Sequence, residues 1–510
     1  MRNRKGSDKG KDAPSTLERI LIKPVQCITD FIVDLKAPSQ SQVPSNSSIS
    51  LGDSPNLYRP IRIDEVNLDL ETLARHVYIL GQSGSGKTYL ILLMLMSFVR
   101  LNCGFCVIDI HGDLSRKLLS FIAHHAKTTN QLNRLSDKLV LIEPFDSEYA
   151  PAFNPLSSTN PAKAYAEAYD MLGIFKKVWQ DVSWGARMEE LLRNLLLTLA
   201  LTKRTLVEAP IFLTDETFRM SVVQKLTDQD IKFYWINRFG ALSDKMKPVY
   251  IEPVLNKLTV FTSDPYIRHM LAQGETSIDF RKLMDSKKWV IVNISKGALS
   301  DNAYLLGSLM ISKIKSAAMS RADTPEYRRV PFHLVVDEFQ NFMGYNFEEI
   351  LSEARKYKLS LILAHQNLAQ IDKTMRESIF GNVATTFLFR LGHGDIREIS
   401  NAFKESEHAL LTHTLSILGI GEMVRREADG SFRKIRVRHI QNVVEDKPLI
   451  EKYRNIVRSK YYRKRTLIDR ELLRIRDRSR PESASAVSKP SIGTKKPKDD
   501  DTAKIKEGIL

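Results

Sequence analysis

Eight consecutive residues carry the clearest chemistry in the chain: Gly81, Gln82, Ser83, Gly84, Ser85, Gly86, Lys87 and Thr88, spaced as G-x-x-x-x-G-K-[ST]. Glycines at this density let successive backbone N–H groups turn inward around an anion without a Cβ clash. Lys87 adds a point charge for the β- and γ-phosphates of a nucleotide, and the Thr88 hydroxyl is a hard oxygen ligand for Mg2+. Tyr89 extends the expected nucleotide contacts into a helix whose positive N-terminus faces the same anion. A second group has complementary chemistry. His333-Leu-Val-Val336 leads straight into Asp337-Glu338, a carboxylate pair at the end of an apolar run. Asp337 suits the Mg2+ shell, and Glu338 suits orienting and deprotonating an attacking water. ATP and Mg2+ are therefore the expected cofactors, and hydrolysis the expected reaction.

Such groups meet only if buried strands deliver them to one edge of a sheet. His76-Val-Tyr-Ile-Leu80 precedes the glycine-rich run, and Tyr89-Leu-Ile-Leu-Leu-Met-Leu-Met follows it. That is the strand–loop–helix setting a phosphate-binding loop requires. Apolar runs at Val77–Leu80, Phe105–Ile110 and Leu139–Ile142, with a helical stretch from Lys87 to Leu101, read as βαβ units and a parallel sheet. From about Pro161 to Met284 apolar residues recur at helical spacing instead, in Ala162–Val178, Met188–Leu201 and Val249–Phe261. Short strands resume at Val290–Ile294, Phe332–Val336, Leu359–Ala364 and Thr385–Arg390. The expected divisions are residues 1–57, an N-terminal segment and linker; 58–160, the first part of a sheet domain; 161–284, an inserted helical domain; 285–447, the rest of the sheet domain; and 448–510, a basic helical tail ending in disorder.

Composition narrows the partners. The 510 residues carry a formal charge of +16, which favours polyanions, nucleic acid before a membrane surface. Between Lys452 and Arg480 twelve Lys/Arg stand against three acidic residues. Arg470, Arg474 and Arg478 would share one helix face there, as a DNA contact or simply a solvated surface. Three cysteines form no disulfide framework, and Cys103-x-x-Cys106 reads as small residues at a strand entrance. The amphipathic stretch Leu17 to Leu35 is broken by Lys23, Pro24, Asp30 and Asp34, and no apolar run reaches the ~20 residues of a membrane crossing. A soluble, cytoplasmic protein is expected, with the inner membrane face as a place of recruitment.

In chain order, five motifs resemble the HerA/FtsK superfamily of DNA-pumping ATPases, above all its TraG-type conjugative coupling proteins. They are His76 to Gly81 with the glycine-rich loop, Val107-Ile-Asp-Ile-His-Gly-Asp113, Val336-Asp-Glu-Phe-Gln-Asn341, Leu351-Ser-Glu-Ala-Arg-Lys-Tyr357 and Leu361-Ile-Leu-Ala-His-Gln366. The resemblance covers about residues 58–445. It implies an α/β fold, a RecA-like P-loop NTPase with a central, mainly parallel sheet and an inserted all-α domain. It also makes Gln366 the polar sensor of the γ-phosphate and Arg355 a finger reaching a neighbouring subunit's nucleotide, with Arg390 a competitor acting in cis. Asp109 and Asp113 would stand near the site or shape its loop, Trp184 would pack, and Arg187 would open an inserted helix. The implied protein is an ATP-driven DNA translocase in conjugative or mobile-element transfer, a hexameric homo-oligomer binding DNA without regard to sequence. Secretion-channel or relaxosome proteins are the further partners. A HerA-like helicase or packaging motor, and a type IV secretion ATPase that moves protein, are the alternatives.

Overall fold

The computed structural model describes residues 48–55, 63–157, 160–179, 184–342, 347–401, 408–426, 432–437 and 444–477. The Leu17 to Leu35 stretch, the basic N-terminus, Arg478 and the chain beyond it lie outside the described residues.

Strands in chain order are β1 (Ser48–Pro55), β2 (Ile63–Asp69), β3 (Val77–Leu80), β4 (Gly104–Asp109), β5 (Leu139–Ile142), β6 (Tyr149–Pro151), β7 (Trp289–Asn293), β8 (Phe332–Val336), β9 (Leu359–His365), β10 (Thr385–Leu388), β11 (Glu422–Arg426), β12 (Phe432–Val437) and β13 (Tyr462–Lys464). The main sheet runs β2-β1-β12-β11-β10-β3-β9-β8-β4-β7-β5. From β10 to β5 every pairing is parallel. β3, β4, β5, β7, β8, β9 and β10 are buried along their whole length, which is why they read as unbroken apolar runs with no alternation. β11, β12, β1 and β2 extend the sheet antiparallel.

Successive residues of a strand face opposite sides, and the two sides carry separate cores. Val77, Ile79, Phe105 and Val107 pack with the phosphate-loop helix Lys87–Arg100 and the helix Asp113–Thr128. Tyr78, Leu80, Cys106 and Ile108 pack with the helix Asn302–Met319 and the inserted helices. Lys87–Arg100 is apolar on nearly all sides because it lies under both a helix layer and the sheet. Between β6 and β7 the described elements are all helical, among them Pro161–Val178, Ala186–Leu201 and Met246–Ser263. The fold is thus a RecA-like α/β core with an all-α insertion, as the resemblance implies.

One expectation needs correction and another is filled out. Ser48–Pro55, read as the end of a Ser/Pro-rich linker, is a sheet strand paired to β2 and β12. Its backbone partners lie in the nearby β2 and, at Gly52 and Asp53, in the distant β12, and a Ser- and Pro-rich composition gives no sign of them. The segment after Lys447 is helical, as expected, and as far as residue 477 it packs on the rest of the chain. Helix Lys447–Tyr461 buries Ile450, Tyr453 and Val457 against the sheet's helix layer, β13 pairs with β6, and helix Arg465–Asp477 follows. Arg454 pairs with Glu143 at 3.1 Å, and Arg458 with Asp146 at 2.7 Å. Arg465 is buried and donates to the carbonyls of Pro144 (2.6 Å) and Asp146 (2.7 Å). His269 of the insertion meets Asp469 at 2.7 Å. Much of the basic charge is therefore spent inside the molecule; Arg470 and Arg474 remain exposed.

Candidate active site

β3 ends at Leu80, and residues 81–86 turn into the helix that begins at Lys87. Leu80 is in register with Leu388 of β10 and His365 of β9, so three carboxyl ends lie side by side beneath the loop. Gln82 N donates to the Arg390 carbonyl at 2.9 Å, and Gly421 N donates to the Ser85 carbonyl at 2.9 Å. The loop is therefore braced from the β10 end and from the turn before β11. Two glycines are obligatory on different grounds. Gly86 stands at φ +119, and a Cβ on Gly81 would fall 2.5 Å from the Phe389 Cβ. Lys87 is buried and folds its ammonium onto the loop's own carbonyls, Gly81 O at 2.6 Å and Gln82 O at 3.2 Å. Burial pushes its pKa down, while the nearby Glu338 and Asp337 pull it up. Ser83 and Gly84 are exposed at the loop's tip, and Tyr89 is half-buried one residue past Thr88.

The acidic pair comes from β8, separated from β3 by β9 alone. Thr88 Oγ1 donates to Asp337 Oδ2 at 3.1 Å, joining residues 249 positions apart in sequence. A hydroxyl and a carboxylate side by side are the hard oxygen donors Mg2+ prefers, and the pair fits that ion with waters completing its shell. Burial, reinforced by the Glu338 charge, raises the Asp337 pKa to about 6 against the opposing pull of Thr88 and Lys87. Glu338 sits in left-handed backbone at φ +53, a conformation sterically costly for a non-glycine residue. Gln366 Nε2 donates to Glu338 Oε1 at 3.0 Å, from the residue that follows β9. Gln340 Nε2 donates to Glu338 Oε2 at 2.7 Å. Sequence reasoning alone does not single out Gln340; its position two residues past Glu338, inside the Asp-Glu-Phe-Gln-Asn motif, is the available signal.

A family model described as the central domain of helicase HerA matches residues 59–314, just over half of the chain. The chain belongs to the HerA family. A second model, described as the TraM recognition site of TraD and TraG, matches residues 331–417. The type 4 coupling protein DotL of Legionella pneumophila is 21% identical to this HerA-family chain over 362 residues, 61% of the chain. That match spans 46% of DotL's length, less than half of the curated relative. Plasmid coupling protein TrwB in complex with ADP and Mg2+ superimposes with a TM-score of 0.54 at 14% identity, over 75% of this chain and 89% of that one. VirB4 of Thermoanaerobacter pseudethanolicus gives 0.52 at 15% identity, over 78% and 99%. At such identities the two structures speak for the fold.

The other expected residues of this HerA-family chain fall in four places. Arg390 follows β10 beside the loop and Arg355 lies on the turn Ala354–Tyr357; both are exposed. Asp109 stands near enough to add to the upward push on the Asp337 pKa, and its carboxylate accepts from the N–H groups of His111 (3.0 Å), Gly112 (2.9 Å) and Ser115 (2.7 Å), closing the turn after β4. Asp113 is exposed and pairs with Arg116. Trp184 donates to Glu189 at 2.5 Å and packs on the core, while Arg187 lies over the Tyr250 ring. Cys106 is wholly buried in β4, where burial drives its thiol pKa far up, so a reactive thiolate has no place there. No helix among the described residues is long and apolar enough to cross a membrane.

Proposed function

We propose that this chain is an ATPase motor that drives DNA translocation in conjugative or type IV secretion transfer. The observation that carries the proposal is the Thr88–Asp337 contact, which puts the glycine-rich loop and the acidic strand end around one volume. In this reading backbone N–H groups of residues 81–88 cradle the triphosphate, and Lys87 leaves its loop carbonyls for the β- and γ-phosphates. Thr88 and Asp337 would hold the Mg2+, which would supply charge neutralisation for the phosphate oxygens. Glu338 accepts the proton of the attacking water, and Gln366 exchanges its contact with Glu338 for one with the γ-phosphate. Arg355, exposed on its turn, serves the neighbouring subunit's nucleotide in a ring of identical chains. The likeness to TrwB, solved with ADP and Mg2+, supports the nucleotide and the ion; the coupling-protein likenesses support DNA as cargo and relaxosome or secretion-channel proteins as partners.

The test is ATP hydrolysis with and without DNA for the wild type, Lys87→Ala and Glu338→Gln. DNA should stimulate the wild type, and each variant should lose at least about a hundredfold in rate. Glu338→Gln should still bind nucleotide. A wild-type rate indifferent to DNA would replace DNA with protein as the cargo, and full activity in Glu338→Gln would remove the mechanism.

A further inference from the structure

We propose that Gln340 is the positioning residue of Glu338, the fixed arm of a two-amide clamp whose releasable arm is Gln366. The inference rests on the function proposed above and adds a residue to its machinery. Both oxygens of one carboxylate are engaged by side-chain amides, Oε1 by Gln366 at 3.0 Å and Oε2 by Gln340 at 2.7 Å. The two arms are anchored differently. Gln366 belongs to the end of a separate strand, β9, and has the γ-phosphate as a second destination. Gln340 belongs to the short turn Phe339–Phe342 that Glu338 itself begins. That turn is closed on itself, because Asn341 N and Nδ2 each donate to the Glu338 carbonyl at 3.1 Å. It is also pinned at both ends by the buried rings of Phe339 and Phe342. Gln340 therefore travels with Glu338, whereas Gln366 can leave it.

A packing role for Gln340 fits less well. Its own carbonyl oxygen is buried and finds no donor among the described residues. A side chain there only to fill space would be better served by an apolar group of the same shape, since an unpaired buried acceptor is costly. The amide orientation follows from charge: a donor must face the carboxylate, leaving the carbonyl on the other side. When Gln366 turns to the phosphate, Oε1 becomes free to accept a proton while Oε2 stays held. The carboxylate then cannot swing, and the base keeps its aim on the water.

The variant to make is Gln340→Met in the full chain, which keeps length and approximate volume and removes the donor. With a wild type that turns over ATP, kcat should fall about tenfold or more while KM stays within about twofold, the pattern of an interaction felt in the transition state. Gln340→Asn, a shorter donor, should recover part of the loss. The decisive measurement is the double variant Gln340→Met with Glu338→Gln, which should hydrolyse no more slowly than Glu338→Gln alone. Losses that simply multiply, or a raised KM with kcat unchanged, would overturn the proposal. A wild type without turnover would remove the proposed function first, and this role with it.

Discussion

In the proposed function Lys87 is held in contacts that catalysis would break, and Glu338 in one that would break and one that would stay. The ammonium rests on the carbonyls of Gly81 and Gln82, and the carboxylate rests between two glutamine amides. Each contact satisfies a buried charge, which would be far more costly unpaired. The loop's shape is set more rigidly than its charges. Gly81→Ala drives a methyl into the Phe389 Cβ, a contact of 2.5 Å that neither backbone can relieve without moving. The expected outcome is a loss of about 1–3 kcal/mol in denaturant melts together with weakened nucleotide binding. Unchanged stability would mean that the loop is looser than its bracing by Arg390 and Gly421 implies.

At the scale of elements, buried histidines join the strands that carry the site. His76 accepts from Leu361 N at Nδ1 (2.9 Å) and meets the Leu351 carbonyl at Nε2 (3.1 Å), tying the start of β3 to β9. His333 of β8 meets Ser360 of β9 at 2.6 Å and stacks on Phe98 of the loop helix with centroids 4.4 Å apart. Burial lowers both pKa values from 6.5 to about 4, so both rings are neutral in the fold. Below pH 6.5 the unfolded chain takes up protons that the folded chain refuses. Stability is thus fully present above about 6.5 and declines until the pH reaches about 4, by up to about 3 kcal/mol for each ring. Denaturant melts across that window check the expectation: His333→Gln should flatten the decline, and an unaltered slope would exclude His333 as its source. The segment 447–477 acts at the same scale. It spans from the sheet's helix layer to the insertion, through Arg454 and Arg458 at one end and the His269–Asp469 pair at the other.

At the scale of the whole molecule, the proposed function calls for a ring of identical chains. Arg355 is exposed, as a group that completes a neighbour's site has to be. Neither Arg355→Ala nor Glu338→Gln chains should hydrolyse ATP alone. Mixed in equal amounts, some adjacent pairs would join an intact base to an intact arginine, and about a quarter of wild-type activity is the expected order of magnitude for random pairing. Mixtures as inactive as the parents would assign the arginine's role in cis, where Arg390 stands beside the loop.

Local chemistry made the candidate site readable in the sequence. The spacing of Gly81 to Thr88 serves backbone N–H groups, and the Asp337–Glu338 pair ends a buried strand; both are rules of short range. The long-range pairings had no such signature. Only the tertiary structure decided that β9 lies against β3 as well as β8, that Gln366 meets Glu338, and that Gln340 takes the other oxygen. The same holds for Ser48–Pro55, whose hydrogen bonds reach residues as distant as Val437, and for the basic segment, whose arginines found Glu143 and Asp146. Backbone periodicity dictates which strands and helices form, because it is written in neighbouring residues. Which of them meet is settled by burial and charge pairing between residues hundreds of positions apart, and that exists only once the chain has folded.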